Sequence, residues 1–450
     1  MKYIPNSKSE VIEMLAEIGQ GSIENLFNVI PEAVKIDKLN SLPRAHSEHE
    51  VIEYFEKLGA ENETCSKNIS YLGAGAYDHY IPAIVDDMIR RSEFTTVYTP
   101  YQAEISQGTL QTIFEFQTMI SRLTGMDCSN ASVYDGASAL AESALMAQRI
   151  TRKNKIIVCK NVHPNYRAVL NTYLNHQENS IVEYDFSMET SCTVFDDLDK
   201  TIKENKACAA IVIQNPNFFG AIEDIKKVSD IAHENGALLI VTLNEALSLA
   251  LIKSPGELGA DIVAGEAQSF ACSLSYGGPF LGFIATRDKF LRNLPGRIAG
   301  QTVDSEGKPG FVLTLCTREQ HIRREKSISN ICSNQALCAL AATIYLSTMG
   351  STGLYQLAKL NFNKAHNLRK ELLEIKVGTA FFNSFFFNEF VLKIPNLKNL
   401  RNKLIKENIH LGVELEKFYP EMSDLVLLCA TEKLDDSKLN KTIETIVRNT

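Results

Sequence analysis

The sequence predicts a three-layer α/β fold, a mostly parallel sheet covered by helices on both faces, followed by a smaller α+β domain. Three observations carry this reading. From about residue 155 to 285, apolar runs of roughly four to seven residues alternate with stretches of helical period. The runs are continuously apolar rather than alternating, as strands buried on both faces must be. The 450 residues are 45% hydrophobic and 22% charged, an ordinary globular balance, and that length gives a prior of roughly two to three domains.

Taken in order, residues 1–65 read as a polar helical extension broken at Pro31 and Pro43. Ser7 and Ser9 are candidate caps for a helix through Val11, Leu15 and Ile18 that stops near Gly19 and Gly21. This extension lacks a core of its own and is expected to pack on another body. A glycine- and tyrosine-rich loop without period follows at Tyr71–Pro82, and a second unusual loop at Tyr98–Gly108. An amphipathic helix is expected from about Thr109 to Leu123, ended by Gly125.

The large domain, 66–350, then alternates. Asp135-Gly-Ala-Ser138 opens an alanine-rich helix to about Arg149. Strands are expected at Lys155–Cys159, near Ile181, and at Ala209–Ile213, Ala237–Val241, Asp261–Ala264 and Phe280–Ala285. Helices are expected at His163–Tyr173, Phe195–Asn205 and Asp224–His233. The section from Pro295 to Glu325 reads as irregular and charged, and a helical region runs from about Gln335 to Ala358. The small domain, 351–450, carries Phe-rich strands from about Val377 and helices at Asn399–Glu407 and Asp436–Val447.

Charge and composition exclude some function classes. The net charge is −8 and the Lys and Arg residues are scattered, so a nucleic-acid footprint is not expected. Small-molecule or protein partners fit better. Met1-Lys-Tyr-Ile-Pro-Asn-Ser has no apolar core of a secretory signal. The runs Ala207–Ile213 and Gly236–Val241 are too short to span a bilayer. Ten cysteines lie dispersed without CxxC pairs or zinc-spaced histidines, as reduced thiols would. A soluble cytoplasmic protein without a metal is expected.

Four positions could carry chemistry. Free N–H groups at Gly136, with Ser138, could cradle a phosphate at a helix N-terminus, although an ordinary N-cap has the same look. His163 follows a strand at the sheet edge, where a ring can stack on a cofactor or simply start a helix before Pro164. Asn244 and Glu245 follow the Leu238–Val241 strand, and a carboxylate there could pair with a protonated pyridine nitrogen or cap a helix. In this order the three suit a pyridoxal phosphate site, whose fourth member is a lysine after the next strand. A Schiff base needs an amine. The turn after Ile262-Val-Ala264 offers Glu266, Gln268 and Ser269 instead. Lys253 precedes the strand and Lys289 lies beyond the following one, so neither is well placed.

Two further segments stand out. In Tyr98–Gly108, Tyr98, Tyr101 and Glu104 with Gln102 and Gln107 suit recognition at an interface, or packing beneath a long loop. Arg318–Glu325 offers cations to a carboxylate or another subunit, or is a solvated helix face.

Tyr98-Thr-Pro-Tyr-Gln-Ala-Glu-Ile-Ser-Gln-Gly, Asn130-Ala-Ser-Val-Tyr-Asp-Gly-Ala-Ser-Ala-Leu-Ala-Glu, Gln268-Ser-Phe with Gly277-Gly-Pro-Phe-Leu-Gly-Phe, and Thr317-Arg-Glu-Gln-His-Ile-Arg-Arg-Glu-Lys-Ser-Ile-Ser-Asn-Ile-Cys332 together resemble glycine decarboxylase, the P-protein of the glycine cleavage system. More narrowly, the chain is similar to the alpha chain, subunit 1, of the two-chain bacterial form, over most of its length. The resemblance implies the pyridoxal phosphate (PLP)-dependent transferase type I fold, like aspartate aminotransferase. It implies an activity that decarboxylates glycine, releases CO2 and passes the aminomethyl group to the lipoyl arm of H-protein. It also implies an α2β2 assembly in which PLP sits on a lysine of the beta chain, in a His-Lys-Thr motif over which Gln268 falls. This chain would then hold no cofactor covalently and have no catalytic lysine of its own. Gly136, Ser138, His163, Glu245 and Gln268 would form a vestigial pocket, and Tyr98, Tyr101, Gln102 and Glu104 are the candidates facing glycine or lipoamide. The alternative is a non-catalytic structural partner with a degenerate pocket.

Overall fold

The computed structural model describes residues 5–36, 42–177 and 180–449, so the first four residues of the segment inspected for a leader lie outside it. The chain divides into two compact units, 1–63 and 64–450.

In the first unit, helices α1 (Lys8–Glu17) and α2 (Glu48–Ala60) each open on a capping box, Ser7 with Glu10 and Ser47 with Glu50. Ser7 is the cap, and the Ser9 hydroxyl contacts the Ser7 hydroxyl at 3.0 Å. Neither helix buries a residue, so local capping rather than a core defines them.

The second unit holds a seven-stranded sheet. Its strands are β1 (Cys128–Ser129), β2 (Lys155–Cys159), β3 (Ile181–Tyr184), β4 (Cys208–Gln214), β5 (Leu238–Leu243), β6 (Ile262–Glu266) and β7 (Gly282–Thr286), in the spatial order 1-7-6-5-4-2-3. Strands β3, β2, β4, β5 and β6 run parallel, and β7 and β1 close one side antiparallel. Every residue of β4, β6 and β7 is buried, which is why these segments read as unbroken apolar runs. Helices α3 (Gln107–Thr124), α4 (Gly136–Thr151), α5 (Pro164–Leu174), α6 (Phe195–Glu204) and α7 (Ile225–Glu234) intersperse them. Because the central strands are parallel, the loops after β2, β4, β5 and β6 gather at one carboxyl edge, where α/β folds bind ligands.

One segment differs from expectation. Pro295–Glu325 contains an antiparallel hairpin, β8 (Ile298–Val303) with β9 (Pro309–Thr314). Only Ile298 and Ala299 of it are buried, so its polar outer half carries no strand-like apolar period. The helical region from 335 extends further than expected, as α8 (Ala336–Glu374), bent at Gly350 with φ +59°. Its first half packs in the core of the large sheet and its second half in a separate core, with Leu368 and Leu372. By length and composition α8 could cross a bilayer, yet half of its most apolar window is buried inside the fold. The separate core lies on a four-stranded sheet containing β10 (Glu389–Lys393) and β11 (Leu425–Cys429).

Gly265, one residue before the turn that carries Gln268, lets three strands close. A Cβ there would lie 2.8 Å from Leu243 Cγ and 2.9 Å from Phe283 Cζ. Gly265→Ala is expected to lose about 1–3 kcal/mol by overpacking, read as a lower urea midpoint with the same folded-state circular dichroism.

Candidate functional site

Helix α4 starts at the carboxyl edge, and two of its first N–H groups, those of Gly136 and Ser138, are already taken. Asp135 caps it, its Oδ1 accepting from Ser138 N–H at 2.8 Å. Gly136 N–H donates to Glu266 Oε2 at 2.9 Å, and Leu281 N–H to Glu266 Oε1 at 2.6 Å. A protein carboxyl group therefore sits where the N-terminus of α4 would take an anion. Burial pushes the Glu266 carboxyl up to about 8, against the downward pull of those two N–H groups.

His163 stands at the start of α5 with its ring against Tyr166 and Phe218. Its Nδ1 accepts from Asn165 N–H at 3.1 Å, and its Nε2–H donates to the Ala74 carbonyl at 2.9 Å. Burial pushes its pKa down to about 4, so the ring is neutral. The loop 71–82 lies over it. Gly75 has φ +97°, and a Cβ there would come within 2.8 Å of Asn244 Nδ2 and 3.2 Å of His163 Nε2, so only glycine fits.

Glu245 follows β5 and faces a cation from the same loop. Its Oε2 pairs with His79 Nε2 at 3.0 Å and accepts from Asn388 Nδ2 at 3.1 Å, while Oε1 accepts from Ser269 Oγ at 2.6 Å. His79 Nδ1 pairs with Glu432 Oε2 at 2.9 Å. Burial pushes the imidazolium down, but the charge of Glu245 and hydrogen bonds to Glu245 and Glu432 win, lifting His79 to about 10. Glu432 goes the other way. Burial raises it, but the hydrogen bond and charge of His79 hold it down at about 2. The partner for Glu245 is thus an internal imidazolium.

Gln268 completes the edge. Its Oε1 accepts from Tyr77 N–H at 2.9 Å, and its Nε2 donates to the carbonyls of Tyr77 at 3.0 Å and Cys272 at 2.6 Å. The Tyr77 hydroxyl donates to Glu389 Oε2 at 2.7 Å, and Ala74 N–H to Glu389 Oε1 at 2.6 Å. Burial pushes the Glu389 carboxyl up to about 7. Lys253 is exposed. Lys289 follows antiparallel β7, which ends at the opposite edge, and lies 3.7 Å from Asp261.

Gly136, His163, Glu245 and Gln268 therefore meet at one sheet edge, with Ser138 in the first turn of α4. As they stand they do not fit PLP. The Gly136 N–H serves Glu266 and the Ser138 N–H serves Asp135, the Glu245 carboxylate serves His79, and Gln268 is no nucleophile. What remains is a cavity of about 270 Å³ lined by residues including His163, Asn244, Tyr166, Glu266 and Phe280.

A second cavity, about 500 Å³, lies under the loop 98–108. Tyr98, Tyr101 and Gln102 line it together with Arg297, Cys332 and Ser333. Glu104 is exposed and does not line it. Arg297 Nη2 donates to the Tyr101 hydroxyl at 3.0 Å and to the Cys332 carbonyl at 2.9 Å. Sequence reasoning missed Tyr77, His79, Glu389 and Glu432 around the first cavity and Arg297 in the second. The aperiodic Tyr71–Pro82 loop was the available signal for Tyr77 and His79. Nothing local marks the other three.

A family model described as "Glycine cleavage system P-protein" matches residues 1–446. A relative from Desulfitobacterium hafniense, named "Probable glycine dehydrogenase (decarboxylating) subunit 1", is 49% identical over 433 residues, covering 96% of each chain. A crystal structure titled as glycine decarboxylase (P-protein) of the glycine cleavage system, in inhibitor-bound form, is 39% identical with a TM-score of 0.88, covering 100% of both chains. The Burkholderia pseudomallei sphingosine-1-phosphate lyase, 13% identical with a TM-score of 0.66 over 93% of this chain and 94% of its own, shares the fold.

The buried triad sets a pH dependence. His79 is raised above the ordinary histidine range near 6.5, so its stabilisation is complete below about pH 6.5 and is lost as pH rises toward 10. Urea midpoints of the wild type should fall over that interval by more than those of His79→Gln. His79→Gln itself should cost about 3–5 kcal/mol at neutral pH, as breaking a buried pair does. Parallel pH profiles would exclude a charged His79.

Proposed function

Because the chain belongs to the glycine cleavage system P-protein family, with the PLP-dependent transferase type I fold, we propose that it works as the alpha chain, subunit 1, of a two-chain glycine decarboxylase. Together with a second, lysine-bearing subunit it decarboxylates glycine, releases CO2 and passes the aminomethyl group to the lipoyl group of H-protein. The observation that carries the division of labour is Gln268, an amide bound to the backbone of Tyr77 and Cys272 where the family's fold calls for a lysine.

In this reading PLP belongs to the beta subunit. The internally engaged Gly136, Glu245 and Gln268 support that assignment. The assembly is α2β2, and H-protein docks on it with its lipoyl arm. A cytoplasmic location agrees with ten free cysteines. This chain contributes the wall of the reaction chamber. Tyr98, Tyr101 and Gln102 position glycine or lipoamide, and exposed Glu104 contacts the incoming carrier or the sister chain. The competing reading, a scaffold with a degenerate pocket, draws on the same filled seat.

Substitution in the loop separates the two. In an assembly reconstituted with the lysine-bearing subunit, Tyr101→Ala and Glu104→Ala should each slow glycine–CO2 exchange about 10–100-fold, the scale of a lost positioning contact. The assembly should stay intact on size-exclusion chromatography. Full activity in both variants would leave the scaffold reading standing. A second outcome concerns the isolated chain. Gln268→Lys alone should give no aldimine absorbance with PLP, because an amine restores neither the anion seat nor a free carboxylate. A stable aldimine in that single variant would contradict the filled seat.

A further inference from the structure

Arg297 is built into the floor of the 500 Å³ cavity with donors to spare. Its side chain is buried, 8% exposed, and stacks against the Tyr101 ring with the guanidinium carbon 5.3 Å from the ring centre. Nη2 is spent on the Tyr101 hydroxyl and the Cys332 carbonyl. Nε has no hydrogen-bond partner, with Glu319 Oε2 3.9 Å away, and no acceptor among the described residues engages Nη1. Since the Tyr101 oxygen accepts from Arg297, its own proton points elsewhere.

The local charge does not balance. Arg297 and Arg318 are both buried, and Glu319 is the carboxylate between them. The Arg318 guanidinium donates to the backbone carbonyls of Leu294 and Gly296 and shares the charge of Glu319 with Arg297, so one carboxylate stands against two guanidinium groups. No Asp, Glu or Lys is among the residues lining the cavity. Ser106, the cap of the 18-residue helix α3, lines it without a side-chain capping bond, which adds the positive end of a helix. Buried surplus positive charge with unspent donors calls for an anion.

We propose that the Arg297–Tyr101 pocket is a binding site for a small carboxylate. Nε lies toward Glu319, and the two remaining spare donors, Nη1 of Arg297 and the hydroxyl of Tyr101, match its two oxygens. A phosphate dianion would require more donors than these, and no lysine is present to help. Given the decarboxylase reading above, on which this last step rests, the carboxylate is that of glycine.

Calorimetric titration of the full chain with acetate, glycine, acetamide and inorganic phosphate tests the site without reference to activity. Acetate and glycine should bind and acetamide should not. Arg297→Gln should weaken acetate binding by about tenfold or more, as loss of a charge-assisted hydrogen bond does. Arg297→Lys should retain part of the affinity, and Tyr101→Phe should lose several-fold while keeping the ring. Absence of acetate binding, equal binding of acetamide, preference for phosphate, or an unchanged Arg297→Gln would each overturn the proposal. In the reconstituted assembly, Arg297→Gln should raise the glycine KM with kcat largely retained. An unchanged KM beside intact acetate binding in the wild type would overturn the assignment to glycine alone, leaving the decarboxylase reading untouched.

Discussion

The protonated His79, held between Glu245 and Glu432, is the interaction on which the carboxyl edge of the sheet depends. Glu245 belongs to the loop after β5, Glu432 follows β11 in the smaller sheet, and His79 comes from the loop that runs between them. A buried cation is tolerable only when paired and hydrogen-bonded. Here the two carboxylates also accept from Ser269, Asn388, Asn361 and the Tyr80 N–H. Remove the imidazolium and two buried carboxylates face each other. The loop would then lose its anchor, and with it the lid over His163.

The same loop explains why the pocket at the carboxyl edge is closed in detail. Tyr77 offers its backbone to Gln268 and its hydroxyl to Glu389, and Ala74 offers its carbonyl to His163. Glu266 closes the remaining gap at α4. Gly136, His163, Glu245 and Gln268 are each turned toward the protein's own chain. The fold keeps the geometry of a pocket and uses it as a polar core. That arrangement suits a subunit whose chemistry is completed by a partner.

Much of this was legible from local pattern. Strands β2 and β4 to β7 could be read because burial on both faces leaves little polar to interrupt them, while edge strand β3 shows only a β-branched start. Gln268 stands out in the sequence as an amide where a pyridoxal phosphate site would need an amine. Its partners do not, because Gln268 binds backbone atoms that any residue supplies. The His79–Glu432 pair spans 353 positions, beyond any spacing argument. Arg297 directly precedes the hairpin, in a stretch that reads as irregular because only Ile298 and Ala299 of that hairpin are buried. Long-range polar pairing, rather than secondary structure, was the hidden layer.

The central claim is that the cofactor's lysine lies on a sister chain while this chain's seat is filled from within. Borohydride reduction of the purified two-chain assembly, followed by peptide mass mapping, tests it most directly. A pyridoxyl adduct on one lysine of the second subunit, with every lysine of this chain unmodified, is the predicted result. An adduct on Lys253, or on any other lysine of this chain, would contradict it.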